Sequence, residues 1–244
     1  MSVDVELASA AQVAALRGMS AEERVAVLRP YVNDERVRTL EGALRGRTRH
    51  VTVGLENIFH SQNASAVLRS CDCFGIQDVT VVENSNSFDA SNGVARGAFK
   101  WLTYHRFEGG VFNTPAAYEY LRSEGYRIVA ASPHPGHDVG LYDLDVREGK
   151  IAVIFGAEKV GLSGWAMDNA DVRMAIPMYG MTESLNISAS AAIVVSYLRR
   201  QMEERGGMGV YGLTEAEKMD VYSYWLLASI RDARGVLKRV LKVE

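Results

Sequence analysis

The sequence predicts an α/β protein built on a mostly parallel sheet, and three observations carry that prediction. Short apolar runs alternate with helical segments from residue 50 to about residue 205. That order lays parallel strands side by side with helices on both faces. The run Ile151–Phe155 is wholly apolar rather than alternating, as expected of a strand covered on both faces. Glycine or Asn/Ser-rich turns punctuate the segments, as at Gly75, Gly125 and residues 84–93.

The elements follow in order. Residues 2 to about 33 read as helical: Val5 to Leu16 stopped by Gly18, then a helix opened by the capping box Ser20-Ala21-Glu22-Glu23 through Val25, Leu28 and Tyr31. A third helix spans Glu35 to Leu44 and ends at Gly46. Strands are expected at Val51–Leu55, Asp78–Val82, Trp101–Tyr104, Arg127–Ala131, Ile151–Phe155 and Val172–Ile176. Helices are expected at Ala64–Phe74, from Thr114-Pro115 through Leu121, from Ser163, and from Ile187 to Arg205. Gly206-Gly207-Met208-Gly209 and Gly212 form a linker. A second capping box, Thr214-Glu215-Ala216-Glu217, opens a helical stripe of Met219, Tyr222, Leu226, Ile230, Leu237 and Val240. The expected organisation is a helical segment 1–48, a core domain 49–205 and a helical extension 206–244.

Composition narrows the function classes. Of 244 residues, 48% are hydrophobic and 23% charged, which excludes a disordered or collagen-like chain. The longest apolar runs, Ile151–Phe155 and Ala191–Val195, are too short to cross a bilayer. No basic segment precedes an apolar stretch at the N-terminus, and Cys71 and Cys73 are the only cysteines, so a reducing cytoplasm is the expected location. No Cys/His spacing suits zinc, so no metal is expected; His134 and His137 bracket Pro135-Gly136 and read as a surface turn.

The net charge is −3, yet two stretches are basic. Arg36, Arg38, Arg45, Arg47 and Arg49 stand against Glu41 alone; Arg231, Arg234, Lys238, Arg239 and Lys242 stand against Asp232 and Glu244. They are either solvated helix faces or a surface for an anionic partner such as RNA.

Parallel sheets bind ligands at the carboxyl ends of their strands, and three strand ends carry polar chemistry. In Glu56–Ser70, Asn63 suits a helix N-cap, and Arg69 is either a surface charge or an anion clamp, since its planar fork pairs with phosphate. Phe155-Gly156-Ala157-Glu158-Lys159-Val160-Gly161-Leu162-Ser163 nearly matches a P-loop, but Leu162 stands where the lysine is required, which excludes nucleotide hydrolysis. Gly156 still allows close approach of a ligand to the backbone. In Ile176–Ser188, Ser184 or Asn186 suits an N-cap; Ile176, Met178 and Leu185 would line an adenine or thioether pocket, or simply pack.

Together these stretches resemble the SpoU family of RNA ribose 2′-O-methyltransferases, of the α/β-knot (SPOUT) class. The matching segments are Asn63 to Gly75, Phe155 to Gly161 and Ile176 to Ser188, and the likeness covers about residues 35 to 205. Arg96-Gly97-Ala98-Phe99-Lys100-Trp101 and Gly156-Ala157-Glu158-Lys159 look most like the TrmH branch, which methylates guanosine 18 of tRNA. The resemblance implies a Rossmann-like domain with a C-terminal trefoil knot, a homodimer, and S-adenosylmethionine as cofactor. It implies catalytic roles for Asn63, Arg69, Glu158, Ser184 and Asn186, and cofactor contacts at Gly156, Ile176, Met178 and Leu185. Ala131 stands where the branch often has Thr, with Ser132 as the alternative hydroxyl. Arg69 would stabilise developing alkoxide charge, because a guanidinium stays protonated. Ser184 and Asn186 would orient Arg69 or the ribose. Arg36, Arg38, Arg45, Arg47, Arg49, Arg231 and Lys238 would contact RNA. The alternatives are a ribosomal RNA substrate or a catalytically silent RNA- or nucleotide-binding protein; the presence of Arg69 and Asn186 weighs against the silent one.

Overall fold

A computed structural model describes residues 8–88, 99–133 and 139–242. Met1–Glu6, Arg96–Ala98, His134 and His137, singled out in the sequence, lie outside the described residues. The chain divides into two units, Thr48–Tyr211 and the pair of segments Met1–Arg47 with Gly212–Glu244. The two terminal segments, separate appendages in the sequence reading, therefore build one unit.

The terminal unit opens with α1 (Ala10–Arg17), α2 (Ala21–Leu28), a 3-10 turn at Arg29–Tyr31 and α3 (Asp34–Leu44). The Ser20–Glu23 box forms reciprocally, the Glu23 amide donating to Ser20 Oγ and the Ser20 amide to Glu23 Oε2.

The core unit carries β1 (Val51–Glu56), α4 (Ser61–Cys73), β2 (Asp78–Val82), β3 (Thr103–Phe107), α5 (Thr114–Ser123), β4 (Tyr126–Ala131), β5 (Val139–Gly140), β6 (Lys150–Phe155), α6 (Gly164–Asp168), β7 (Val172–Ala175), α7 (Ile187–Glu204) and α8 (Met208–Tyr211). The sheet order is β3-β2-β1-β6-β4-β7-β5, and every pairing is parallel. Strand alternation sorts the core into two layers. Val53, Leu55, Val79, Val81, Val153 and Phe155 join a cluster with Val67 and Leu68 of α4 and Val194 and Leu198 of α7. Ile128, Ala152 and Ile154 pack on the other face against Tyr118 and Leu121 of α5 and Ala166 of α6.

Some expectations are corrected. The strand read at Trp101–Tyr104 is a 3-10 turn at Phe99–Trp101 followed by β3, because the Gln77 amide holds Trp101 O and Thr103 Oγ1 at the strand entrance. The two-residue β5 and the 3-10 turns at Leu141–Asp143 and Val146–Glu148 were not expected; elements this short have no readable period. The core unit runs past Arg205 to Tyr211, whose carbonyl accepts from the Thr48 hydroxyl and whose ring meets His50 at 4.7 Å.

The terminal unit closes with α9 (Glu215–Ser229) and α10 (Ala233–Leu241). The stripe from Met219 to Val240 is thus two helices. Asp232 divides them by accepting from the Gly235 amide at 3.0 Å as a new N-cap. Within this unit Arg24 is buried, donating to Asp220, Ser223 and the carbonyls of Leu16 and Met19.

Candidate active site

The loops at the carboxyl ends of β1, β4, β6 and β7 converge. After β1, Asn57 takes a left-handed conformation (φ 58°). Asparagine tolerates it because its side chain satisfies nearby backbone: Asn57 Oδ1 accepts from the amides of Ser85 (2.9 Å) and Asn86 (2.8 Å). Just beyond this turn, the amides of Phe59 and His60 point at Glu158, each 3.3 Å from a carboxylate oxygen.

Glu158 rides on a tight loop after β6. Ala157 and Gly161 exchange two backbone hydrogen bonds, 3.1 and 2.8 Å. Gly161 has φ 71°, and a Cβ on Gly156 would lie 2.1 Å from the Gly161 carbonyl carbon. Glycine at 156 is therefore a condition for closing the loop.

Two amides complete the chain. Asn63 Nδ2 donates to Glu158 Oε1 at 2.8 Å. Asn186 Nδ2 donates to Asn63 Oδ1 at 3.2 Å. Asn186 is in turn fixed as the N-cap of α7, its Oδ1 accepting from the Ser188 amide (2.8 Å) and hydroxyl (2.6 Å). All three sequence motifs thus meet in one directed series, Asn186 to Asn63 to Glu158. Burial raises the Glu158 pKa, but hydrogen bonds from Asn63 and from the amides around it outweigh burial and hold the carboxyl below its ordinary value.

Beside this series lies a cavity of about 410 Å³. Its wall includes Ala131 at the end of β4 and Ser132 after it, Gly156 and Glu158 after β6, and Ile176, Met178, Ser184, Leu185 and Asn186 between β7 and α7. Phe155, Met174 and Lys159 also line it; no sequence signal assigns them a role. The volume and the mixture of apolar wall and few polar groups suit a nucleoside-sized ligand. Ile176, Met178 and Leu185 offer a surface for adenine and a thioether chain. Glu158, Ser132 and Ser184 offer groups for an amine and hydroxyls.

Arg69 is exposed on α4 and, among the described residues, its side chain makes no hydrogen bond or ion pair. It shares a hollow with Ser65, Ser70, Ser188 and Ala189, so Arg69 and the first turn of α7 line the same hollow. Among the described residues no group of three or more acidic, His or Cys side chains could hold a metal.

Three residue readings change. Asn63 is not an N-cap: His60 occupies that position, and Asn63 lies inside the helix with both ends of its amide engaged. Arg47 is 4% exposed and lies over the Trp225 ring, 4.8 Å from its centroid, so it packs the terminal unit and is closed to RNA. Arg49 is largely covered and paired with Asp78 at 3.0 Å. Arg36, Arg38, Arg45, Arg231 and Lys238 are exposed. Sequence reading missed Glu56, a buried carboxylate at the end of β1; its signal is an acid closing a strand that holds no other charge.

An all-parallel sheet with a nucleoside-sized cavity at its carboxyl ends, rimmed by an amide–carboxylate series, defines an α/β protein with its ligand site at the strand ends. Residues 50–196 match the SpoU rRNA methylase family, and the chain belongs to that family. It is 37% identical over 199 residues to the tRNA (guanosine(18)-2′-O)-methyltransferase of Borreliella burgdorferi, covering 82% of this chain and 88% of that one. The enzyme of the same name from Thermus thermophilus is 34% identical over 71% of this chain and 86% of its own. Among solved structures, the A. aeolicus TrmH/SpoU tRNA modifying enzyme superposes with a TM-score of 0.69 at 25% identity, covering 81% of this chain and 98% of that one.

Proposed function

We propose that this chain methylates the ribose 2′-hydroxyl of guanosine 18 in tRNA, using S-adenosylmethionine. The observation that carries the reading is the Asn186–Asn63–Glu158 series at the rim of the cavity, with an unpaired Arg69 beside the α7 N-terminus. The names of the curated relatives, at 37% and 34% identity, support the tRNA substrate.

When bound, the cofactor supplies an electrophilic methyl group. Gly156, Ile176, Met178 and Leu185 would hold it, with Ala131 and Ser132 closing the wall. A ribose hydroxyl is a weak nucleophile, so charge developing on its oxygen needs a positive partner. Arg69 is free to supply it, and its fork can bind the neighbouring phosphate at the same time. The α7 N-terminus adds a positive dipole end to that hollow. Asn186, locked as a cap, holds Asn63 and through it Glu158. Ser184, on the loop before α7 and on the cavity wall, would orient the ribose.

The same reading includes the C-terminal knot, a cytoplasmic location and a homodimer. The apolar side chains of Phe59, Tyr179 and Met181, exposed on the site loops, suit a second copy. Arg36, Arg38, Arg45, Arg231 and Lys238 supply phosphate contacts.

The test is methyl transfer to unmodified tRNA and 16S or 23S ribosomal RNA transcripts, with the product nucleoside mapped by mass spectrometry. Label at guanosine 18 of tRNA is expected. Transfer confined to ribosomal RNA, or none to either, refutes the assignment. Light scattering checks the dimer.

A further inference from the structure

Glu56 closes β1 and is 1% exposed, yet it does not line the cavity. Its carboxylate sits between the first residue of α5 and the cap of α6. Thr114 Oγ1 lies 2.5 Å and Ser163 Oγ 2.8 Å from Glu56 Oε1, and the Ser163 amide 2.8 Å from Oε2.

The direction of these bonds is fixed by what stands behind them. Asn84 Nδ2 donates to Thr114 Oγ1 at 3.0 Å, which leaves the threonine proton for Glu56. The Ala166 amide donates to Ser163 Oγ at 3.1 Å, which leaves the serine proton for Glu56. Every neighbour therefore donates, and Glu56 accepts at both oxygens. A glutamine would lose the carboxylate charge, and its NH₂ could meet the two hydroxyls only if each turned its own proton elsewhere; an aspartate would fall short by one methylene.

Ser163 is the far end of the loop that begins at Gly156. The near end is held by Phe155 in the sheet, and the far end by Glu56. Between them the loop presents Gly156 to the cavity and Glu158 to Asn63. We propose that Glu56 is a positioning residue for the cofactor loop: it fixes Ser163, and so sets the cavity wall and the height of Glu158, without touching cofactor or RNA. This rests on the cavity being the cofactor site.

The test measures cofactor Kd by calorimetry, together with kcat and the separate KM values for cofactor and tRNA. The variants are Glu56→Gln, Thr114→Val and Ser163→Ala. Breaking a charge-assisted hydrogen bond is expected to raise the cofactor Kd and KM about tenfold or more in Glu56→Gln. Ser163→Ala and Thr114→Val should give smaller rises, and Glu56→Gln with Ser163→Ala should be no worse than Glu56→Gln alone, the coupling expected of a shared bond. The tRNA KM should hold, which general loosening of the fold would not allow. Where Glu56→Gln fails to fold, the other two variants carry the test. Ile176→Trp, on the cavity wall, tests the cavity itself. Cofactor binding that survives Ile176→Trp refutes the cavity and the proposal with it. Loss there, with wild-type Kd in the folded members of the other variants, refutes the role of Glu56 alone.

Discussion

Replacing Asn63 by aspartate changes one atom group and reverses one interaction. The Nδ2 that donates to Glu158 Oε1 at 2.8 Å becomes an oxygen facing an oxygen. Charge centres about 4 Å apart repel by about 4 kcal/mol at an effective dielectric of ~20. Solvent at this partly exposed site draws that toward the ~1 kcal/mol of an exposed pair. A range of roughly 1 to 4 kcal/mol is about a fivefold to thousandfold penalty on the closed arrangement when both groups are charged. The sign with pH follows. Glu158 starts below its ordinary value in the wild type, and a second carboxylate raises the pair, so protonation of one member restores a donor. The Asn63→Asp variant is therefore expected to lose turnover at pH 8 and to regain part of it toward pH 5. Asn63→Ala should lose turnover with no such recovery. Single-turnover methylation of tRNA at fixed ionic strength, from pH 5 to 9, measures this. An aspartate variant with the wild-type profile and rate would show that the Asn63–Glu158 bond does not matter to the reaction.

Arg69→Ala should lower turnover by at least about 10²-fold with cofactor affinity unchanged, and Arg69→Lys should rescue little of it, since charge without the fork is not enough; wild-type turnover in Arg69→Ala would remove it from the mechanism. Arg47→Ala should lower the thermal midpoint, because a buried guanidinium over Trp225 is lost. Arg38→Ala and Arg45→Ala should instead leave the midpoint alone and each cut the salt slope of tRNA binding by about one unit; the opposite pattern would reverse the assignments. Burial raises the Asp78 pKa, but the hydrogen bond from His105 and the charge of Arg49 outweigh it and hold the group low. A folded value below the unfolded one gives stability that is complete above pH ~4 and lost as pH falls through the folded value. Asp78→Asn should thus be less stable than wild type near neutrality and show a flatter fall in midpoint between pH 5 and 2, and an equally steep acid fall would exclude Asp78 as its source.

The centre of the sheet was legible because the segment Ile151–Phe155 is buried on both faces and so is apolar without interruption. The residues of Ile151–Phe155 are at most 3% exposed, and the segment reads in the sequence as what it is. Capping boxes at Ser20 and Thr214 were legible for a local reason: both partners lie within four residues. The break between α9 and α10 was not, because the stripe of apolar residues continues through it and Asp232 announces itself only by its bond to Gly235. Arg47 and Arg49 misled for the complementary reason. A charge count cannot tell a guanidinium in water from one lying on a buried indole or paired with Asp78.

At the site, the motifs pointed to Asn63, Glu158 and Asn186, but their geometry depends on contacts across 95 and 123 residues. No local rule distinguishes an asparagine that caps a helix from one that sits three residues in and bridges two others. Glu56 shows where motif reading stops. It supplies no atom to the cavity, so spacing gives no reason to single it out. Its importance comes from three donors that the fold delivers from 58 and 107 residues away. A residue that accepts every bond offered to it is constrained by all three partners at once, although it touches no substrate. The loop it anchors carries both Gly156 and Glu158, so cofactor placement and the amide–carboxylate series depend on one buried acid, and a perturbation there should be felt in cofactor affinity before it is felt in RNA binding.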